Sequence, residues 1–309
     1  MVKPDLSVKL GPLRLDNPVL TASGTFGYGL EFKPFLDLGR LGGLVTKGLS
    51  PKPRHGNPPP RIVETPAGML NSIGLQNVGV DAFIADKLPE LRRYRTAVVA
   101  NVFGETEAEY VEVCSKLDQA DGVSAIELNV SCPNVEKGGM IFGNDPAALA
   151  RVTRACRDAT SLPLIVKLSP NVTDIRDTAR GAADGGADIL SLINTFVGMA
   201  VDVERRKPVL ARASGGLSGP AIRPLAVWLT WQVHQAVDLP LIGMGGIVSA
   251  RDALEFILAG ASAVQVGTAN FIHPDSAMRV LDGLEDYLAQ HEIPSVQELV
   301  GSLAAGVTA

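Results

Sequence analysis

Short apolar runs and amphipathic stretches alternate along the whole chain. The runs cover residues 18–22, 43–46, 97–103, 125–130, 164–168, 189–193, 241–244 and 263–266. Both faces of each run are largely apolar, the pattern of parallel strands covered by helices. Between them, residues 81–93, 107–118, 146–159, 175–184, 222–237, 250–259 and 276–290 carry apolar positions three and four apart, which predicts helices. Asp145-Pro146 supplies a cap and a first-turn proline. Gly185-Gly186 and Gly260 stand where helices should stop. Eight such alternations predict an α/β fold, a (β/α)8 TIM barrel, ahead of a doubly wound parallel sheet. The alternating segment 6–15, broken by Gly11-Pro12, predicts an N-terminal β-hairpin that caps the N-terminal end of the barrel. Residues 1–309 are expected to form one domain. Two connections, 50–77 and 196–220, are too long for simple turns, and long loops in compact domains usually carry function.

Composition narrows the classes. Of 309 residues, 46% are hydrophobic and 20% charged, ample for a core and unlike a disordered chain. Lys and Arg number 28 against 33 Asp and Glu, a net charge of −5, so no basic surplus points to nucleic acid. No apolar run reaches membrane-span length, and Met1-Val2-Lys3-Pro4-Asp5 does not resemble a secretory signal. The only cysteines, Cys114, Cys132 and Cys156, form no Cys-x-x-Cys pair. That argues against a zinc or iron–sulfur site in this chain and for a reducing compartment, the cytoplasm.

In such a barrel, function gathers at the C-terminal ends of the strands. Those ends carry Ser23-Gly24, Lys47-Gly48, Asn101, Asn129 with Ser131 and Cys132, Lys167 with Ser169, Asn194-Thr195, Gly245-Gly246 and Gly267-Thr268. Lys and Asn are rarely buried without partners, so the set reads as ligand contacts, although single members also suit strand-terminal turns. The glycines after strands seven and eight stand where this fold cradles phosphate. Their spacing is not the dinucleotide fingerprint, which favours a mononucleotide-sized cofactor. Cys132 sits among polar neighbours at a strand end, where a thiol can abstract a proton. Cys114 and Cys156 lie inside helical patterns and read as inert packing. His55 falls in a proline-rich loop and is expected to be exposed. His234, His273 and His291 lack metal spacing, Trp228 and Trp231 read as packing, and Arg205-Arg206-Lys207 as a solvated run.

The segment Asn129-Val130-Ser131-Cys132-Pro133-Asn134 resembles the catalytic motif of class 1 dihydroorotate dehydrogenases. Thr46-Lys47-Gly48, Asn71-Ser72-Ile73-Gly74-Leu75-Gln76-Asn77 and Lys167-Leu168-Ser169-Pro170-Asn171 are similar to the same family. So are Ile193-Asn194-Thr195, Gly215-Gly216-Leu217-Ser218-Gly219-Pro220 and Gly267-Thr268. The resemblance implies a barrel that binds FMN and oxidises dihydroorotate to orotate in pyrimidine (UMP) biosynthesis. Cys132 matches the base that takes a proton from substrate C5 while hydride leaves C6 for the flavin. Class 2 members use Ser there and carry an N-terminal membrane anchor.

The resemblance further implies a substrate site of Lys47, Asn71, Ser72, Ile73, Gly74, Leu75, Asn129, Asn194 and Thr195. Their cation and amides suit a carboxylate and ring amides. It places Ser23, Lys47, Gly48, Asn101, Asn129, Lys167, Ile193 and Gly219 around the flavin, with Gly245, Gly246, Gly267 and Thr268 on its phosphate. Residues 74–77 and 199–219 look like the B type, which passes electrons to NAD through a partner subunit holding FAD and a 2Fe-2S cluster. A homodimeric core within a heterotetramer is then expected; an A-type homodimer reducing fumarate is the alternative. A flavin barrel acting on another pyrimidine, resembling the reductive domain of dihydropyrimidine dehydrogenase, is a rival. An aldolase-like barrel would leave Asn101, Asn129 and Lys167 unexplained, and a non-catalytic scaffold would bind no flavin.

Overall fold

Eight apolar runs become the eight parallel strands of a closed barrel. They are β1 (Val19–Thr21), β2 (Gly43–Val45), β3 (Ala97–Val102), β4 (Ala125–Asn129), β5 (Leu164–Lys167), β6 (Ile189–Leu192), β7 (Leu241–Met244) and β8 (Ala261–Val266). Each strand pairs with its sequence neighbours, and β8 closes on β1 through Gln265 opposite Leu20. The computed structural model describes residues 3–131 and 142–304. Most interior and strand–helix positions are fully buried, including Leu20, Leu44, Val99, Ile126, Val166 and Val264.

Among the described residues, six long helices pack outside: α1 (Glu107–Asp118), α2 (Pro146–Asp158), α3 (Ile175–Asp184), α4 (Arg223–His234), α5 (Ala250–Leu258) and α6 (Ser276–Gln290). Their starts are written in the sequence. The Asp145 carboxylate accepts the Ala147 N–H at 2.9 Å, and Ser249 and Asp252 form a capping box on α5. The pattern over 81–93 is not one regular α-helix. It starts as Val80–Ala82, widens into a π turn over Phe83–Lys87 and resumes as Leu88–Leu91. Pro89 explains the widening, because it has no N–H to give Ala85 and its ring crowds that carbonyl.

The N-terminal segment forms the expected hairpin, Val8–Leu10 against Leu13–Leu15. Gly11 at its turn has φ +57 and lies against the Asp188 carbonyl, immediately before β6, so the hairpin sits at the N-terminal end of the barrel. Asn17 ties β1 to β2: its side-chain oxygen accepts the N–H groups of Val19 and Gly42, each at 3.1 Å. A Cβ on Gly42 would collide with the Asn17 carbonyl. Gly42→Ala is therefore expected to cost about 3 kcal/mol, the upper range for overpacking against a backbone that cannot yield. A denaturant midpoint unchanged from the parent would refute this.

The two long connections depart from the expectation of plain loops. Together they build a four-stranded antiparallel sheet in the order Phe196–Gly198, Gly215–Ser218, Gly68–Asn71, Ile62–Thr65. Asn71 pairs with Gly216 and Leu70 with Leu217. One loop follows β2 and the other β6, so this sheet stands at the C-terminal mouth of the barrel. Trp228 packs, as expected. It stacks on Trp231 with ring centroids 5.1 Å apart, yet is 53% exposed, so the pair lies on the outer face of α4 rather than in the core.

Candidate active site

Inside the barrel, polar side chains stand where strand register aligns them. Asn101 lies opposite Glu127, Asn129 opposite Lys167, and Lys167 opposite Ser191. Alternation along each strand puts these side chains on the inner face. Asn101 Nδ2 donates to Glu127 Oε1 at 2.7 Å. Ser191 Oγ and Gln265 Nε2 donate to Glu127 Oε2 at 2.9 and 2.8 Å. Lys167 Nζ, on a side chain 7% exposed, lies 3.8 Å from Glu127 Oε1. Glu127, Ser191 and Gln265 are absent from the sequence-based site. A charged residue in the apolar run 125–130 and an amide in 263–266 were the available signals, since neither type is buried without partners.

One layer nearer the mouth, Asn194 Nδ2 donates to Asn129 Oδ1 at 3.1 Å. Tyr110 Oη fixes the Asn129 carbonyl at 2.8 Å. The Thr195 N–H reaches Asn194 Oδ1 at 2.9 Å, and the Thr195 carbonyl accepts from Asn171 Nδ2, also at 2.9 Å. Ile193 is buried, its N–H bonded to the Met244 carbonyl. Asn71 ends its strand and donates to the Gly216 carbonyl at 3.4 Å. Ser72 and Ile73 are clasped by Asn57, whose Nδ2 donates to the Ser72 carbonyl and whose N–H donates to the Ile73 carbonyl. Gly74 at φ +74 passes so close to Asn57 that a Cβ would lie 2.6 Å from its nitrogen. Leu75, at φ +56, gives its carbonyl to Asn77 Nδ2.

Lys47 is half-buried after β2, its N–H bonded to the Gly27 carbonyl. It lines a cavity of about 470 Å3 with Tyr28, Arg54, His55, Gln76 and Asn77. Burial, with a smaller contribution from the Arg61 guanidinium, lowers the Lys47 pKa; Glu31 opposes this weakly. Arg61 spends its own donors on Asn57 O and Gln76 Oε1. A desolvated cation next to another cation is a ready anion site. Burial likewise raises the Tyr28 pKa, partly offset by the N–H that its hydroxyl accepts from Val78.

The glycine loops after β7 and β8 meet the loop after β6. A Cβ on Gly246 (φ +79) would fall 2.7 Å from the Gly219 carbonyl. Thr268 Oγ1 donates to Ser218 Oγ at 2.8 Å, at the start of the short helix Thr268–Phe271. Gly245 faces Ala226 and Ile193, Gly267 faces Ala22, and Gly48 faces Asn101 and Phe103. Ser23 is half-buried after β1, beside Gly24, which faces open space. Cys132, the sequence-based catalytic residue, lies outside the described residues, as do Pro133, Asn134 and the Gly138-Gly139-Met140 loop. His55 and the Arg205-Arg206-Lys207 run are exposed, as expected.

Thr21 Oγ1, Asn101 Oδ1 and Gln265 Oε1 are buried oxygens with no hydrogen-bond partner among the described residues. Such atoms are costly unless something fills the space beside them. Among the described residues no helix is long and apolar enough to cross a membrane.

Residues 5–288 match the family described as dihydroorotate dehydrogenase. A curated protein of Pelobacter propionicus, "Dihydroorotate dehydrogenase B (NAD(+)), catalytic subunit", is 60% identical over 98% of this chain and 99% of its own length. Proteins with the same description from Geobacter sp. (strain M21) and Desulforamulus reducens are 59% and 55% identical, over 98% and 97% of this chain and 99% of their own lengths.

Proposed function

The chain belongs to the dihydroorotate dehydrogenase family, and from that premise we propose that it oxidises dihydroorotate to orotate in pyrimidine biosynthesis, as the FMN-binding catalytic subunit of an NAD-linked enzyme. The observation that carries the flavin reading is the buried polar layer inside the barrel, one layer below the mouth: Asn101 and Gln265, both donating to Glu127, carry buried acceptors without a partner among the described residues, and Lys167 approaches the same carboxylate. FMN, when bound, supplies the acceptor for the hydride. Gly245, Gly246, Gly267 and Thr268 would hold its phosphate through backbone N–H groups and the start of a short helix. Ser23, Gly48, Asn101, Asn129, Lys167, Ile193 and Gly219 would surround its rings.

The chain's own residues then divide the work. Lys47 binds the substrate carboxylate, and the backbone of Ser72, Ile73, Gly74 and Leu75 closes one side of the pocket. Asn71, Asn129, Asn194 and Thr195 read the ring amides. Cys132 takes the proton from C5. Lys167 would supply positive charge to the flavin, where negative charge develops on reduction. The coupled amides of Asn129 and Asn194 orient each other, so each presents a fixed donor or acceptor.

Purified protein is expected to be yellow, to release FMN on denaturation, and to reduce a dye with dihydroorotate but not with dihydrouracil. Colourless protein that cannot be reloaded with FMN would end this reading. For the partner, "catalytic subunit" in the relatives' description supports a second subunit. We place FAD and a 2Fe-2S cluster there, in a heterotetramer around a homodimer of this chain. Co-purification from the native source should yield an iron–sulfur flavoprotein in equal amount; a lone dimer turning over with fumarate would count against it.

A further inference from the structure

Glu127 is fully buried in the middle of β4. A carboxylate there is costly unless every lone pair is used. It receives Asn101 Nδ2 on one oxygen, with Lys167 Nζ 3.8 Å from that oxygen as an ion-pair partner, and Ser191 Oγ and Gln265 Nε2 on the other. Four other strands thus converge on one acceptor-only group. Because that group accepts and cannot donate, both amides must turn their NH2 ends toward it. Their carbonyl oxygens, Asn101 Oδ1 and Gln265 Oε1, then point away, buried and without partners among the described residues.

We propose that Glu127 is a positioning residue that fixes the polarity of the flavin site: it makes Asn101 and Gln265 present acceptors and holds Lys167 as the donor. The inference rests on the FMN reading above and extends it to a residue that would never touch the ring. The imide edge of a flavin offers one N–H between two carbonyls, so it needs acceptors and donors in a set order. A neutral amide at 127 would carry its own NH2, and Asn101 or Gln265 would turn over to meet it. The site would then offer donors where acceptors stood. Lys167 would also lose its only carboxylate neighbour among the described residues.

The test compares parent and Glu127→Gln apoprotein, titrated with FMN by fluorescence quenching, and the midpoint potential of each reloaded protein. The variant is expected to bind FMN roughly ten- to a hundredfold more weakly, the range for hydrogen bonds involving a charged group. Its flavin potential should rise, because an uncompensated Lys167 favours the electron-rich reduced ring. A purely structural Glu127 would lower thermal stability and leave affinity and potential unchanged, and that result overturns the proposal. Should Glu127→Gln not fold, Ser191→Ala removes one donor from the same carboxylate. Severalfold weaker FMN binding then supports the proposal and unchanged affinity overturns it. Parent protein that fails to bind FMN would instead defeat the flavin reading itself, and this inference with it.

Discussion

Replacing Cys132 with alanine is expected to slow dihydroorotate oxidation roughly a thousandfold, within the range contributed by a positioned general base, while FMN stays bound. The expectation follows from where β4 ends. Asn129, its last residue, is locked to Asn194 at the mouth of the barrel, and Cys132 follows three residues later. A thiol with an ordinary pKa of about 8.5 is only partly ionised near neutrality. Cys132→Ser keeps the shape but offers a far weaker acid that is almost never ionised, so its rate should fall. The measurement is flavin bleaching on rapid mixing with dihydroorotate. Parent-like bleaching in Cys132→Ala would remove Cys132 from the mechanism.

Lys47→Met should raise the KM for dihydroorotate roughly ten- to a hundredfold, the worth of a hydrogen bond to a charged group, with a smaller effect on kcat. The variant keeps an unbranched, flexible side chain of nearly the same length and removes the ammonium group with its charge and donors. The lowered pKa of Lys47 adds a pH signature. The cation is present below the folded-state pKa and is lost as pH rises through it. Burial and Arg61 bring that loss below the range of an ordinary lysine. Substrate affinity in the parent should thus fall on the alkaline side earlier than an exposed lysine would allow, and this limb should vanish in Lys47→Met. Binding a carboxylate reverses the shift, so substrate uptake near that pH should be accompanied by proton uptake. A KM indifferent to both the substitution and alkaline pH would refute the carboxylate role.

The barrel was legible because its signal is periodic. Runs such as 97–103 and 164–168 are apolar on both faces, and only a strand covered on both sides has that pattern. The helices over 107–118, 175–184 and 276–290 have the bounds that their caps and periodicity predicted. Periodicity misses what proline does locally, and Pro89 widened the helical stretch after β2. It also misses pairing between distant segments. The sheet at the mouth joins Gly68–Asn71 to Gly215–Ser218, and neither short segment, rich in glycine and polar residues, reads as a strand alone. Among site residues, those at strand ends stood out, because Lys47, Asn101, Asn129 and Lys167 break apolar runs near their C-terminal ends. Glu127 and Gln265 break such runs too, but in mid-strand, where only three-dimensional convergence shows that five strands share one carboxylate.

That mouth sheet sets a rule for how the enzyme can vary. Asn71, expected to touch substrate, is held opposite Gly216, and the chain between them contains half the barrel. Shifting either ribbon by one residue would turn its whole row of side chains to the opposite face. An insertion in one connection is therefore tolerable only if the other shifts in step. The two segments should be exchanged as a matched pair when the pocket is grafted or redesigned, and a chimera that swaps one alone should lose substrate binding before it loses its barrel.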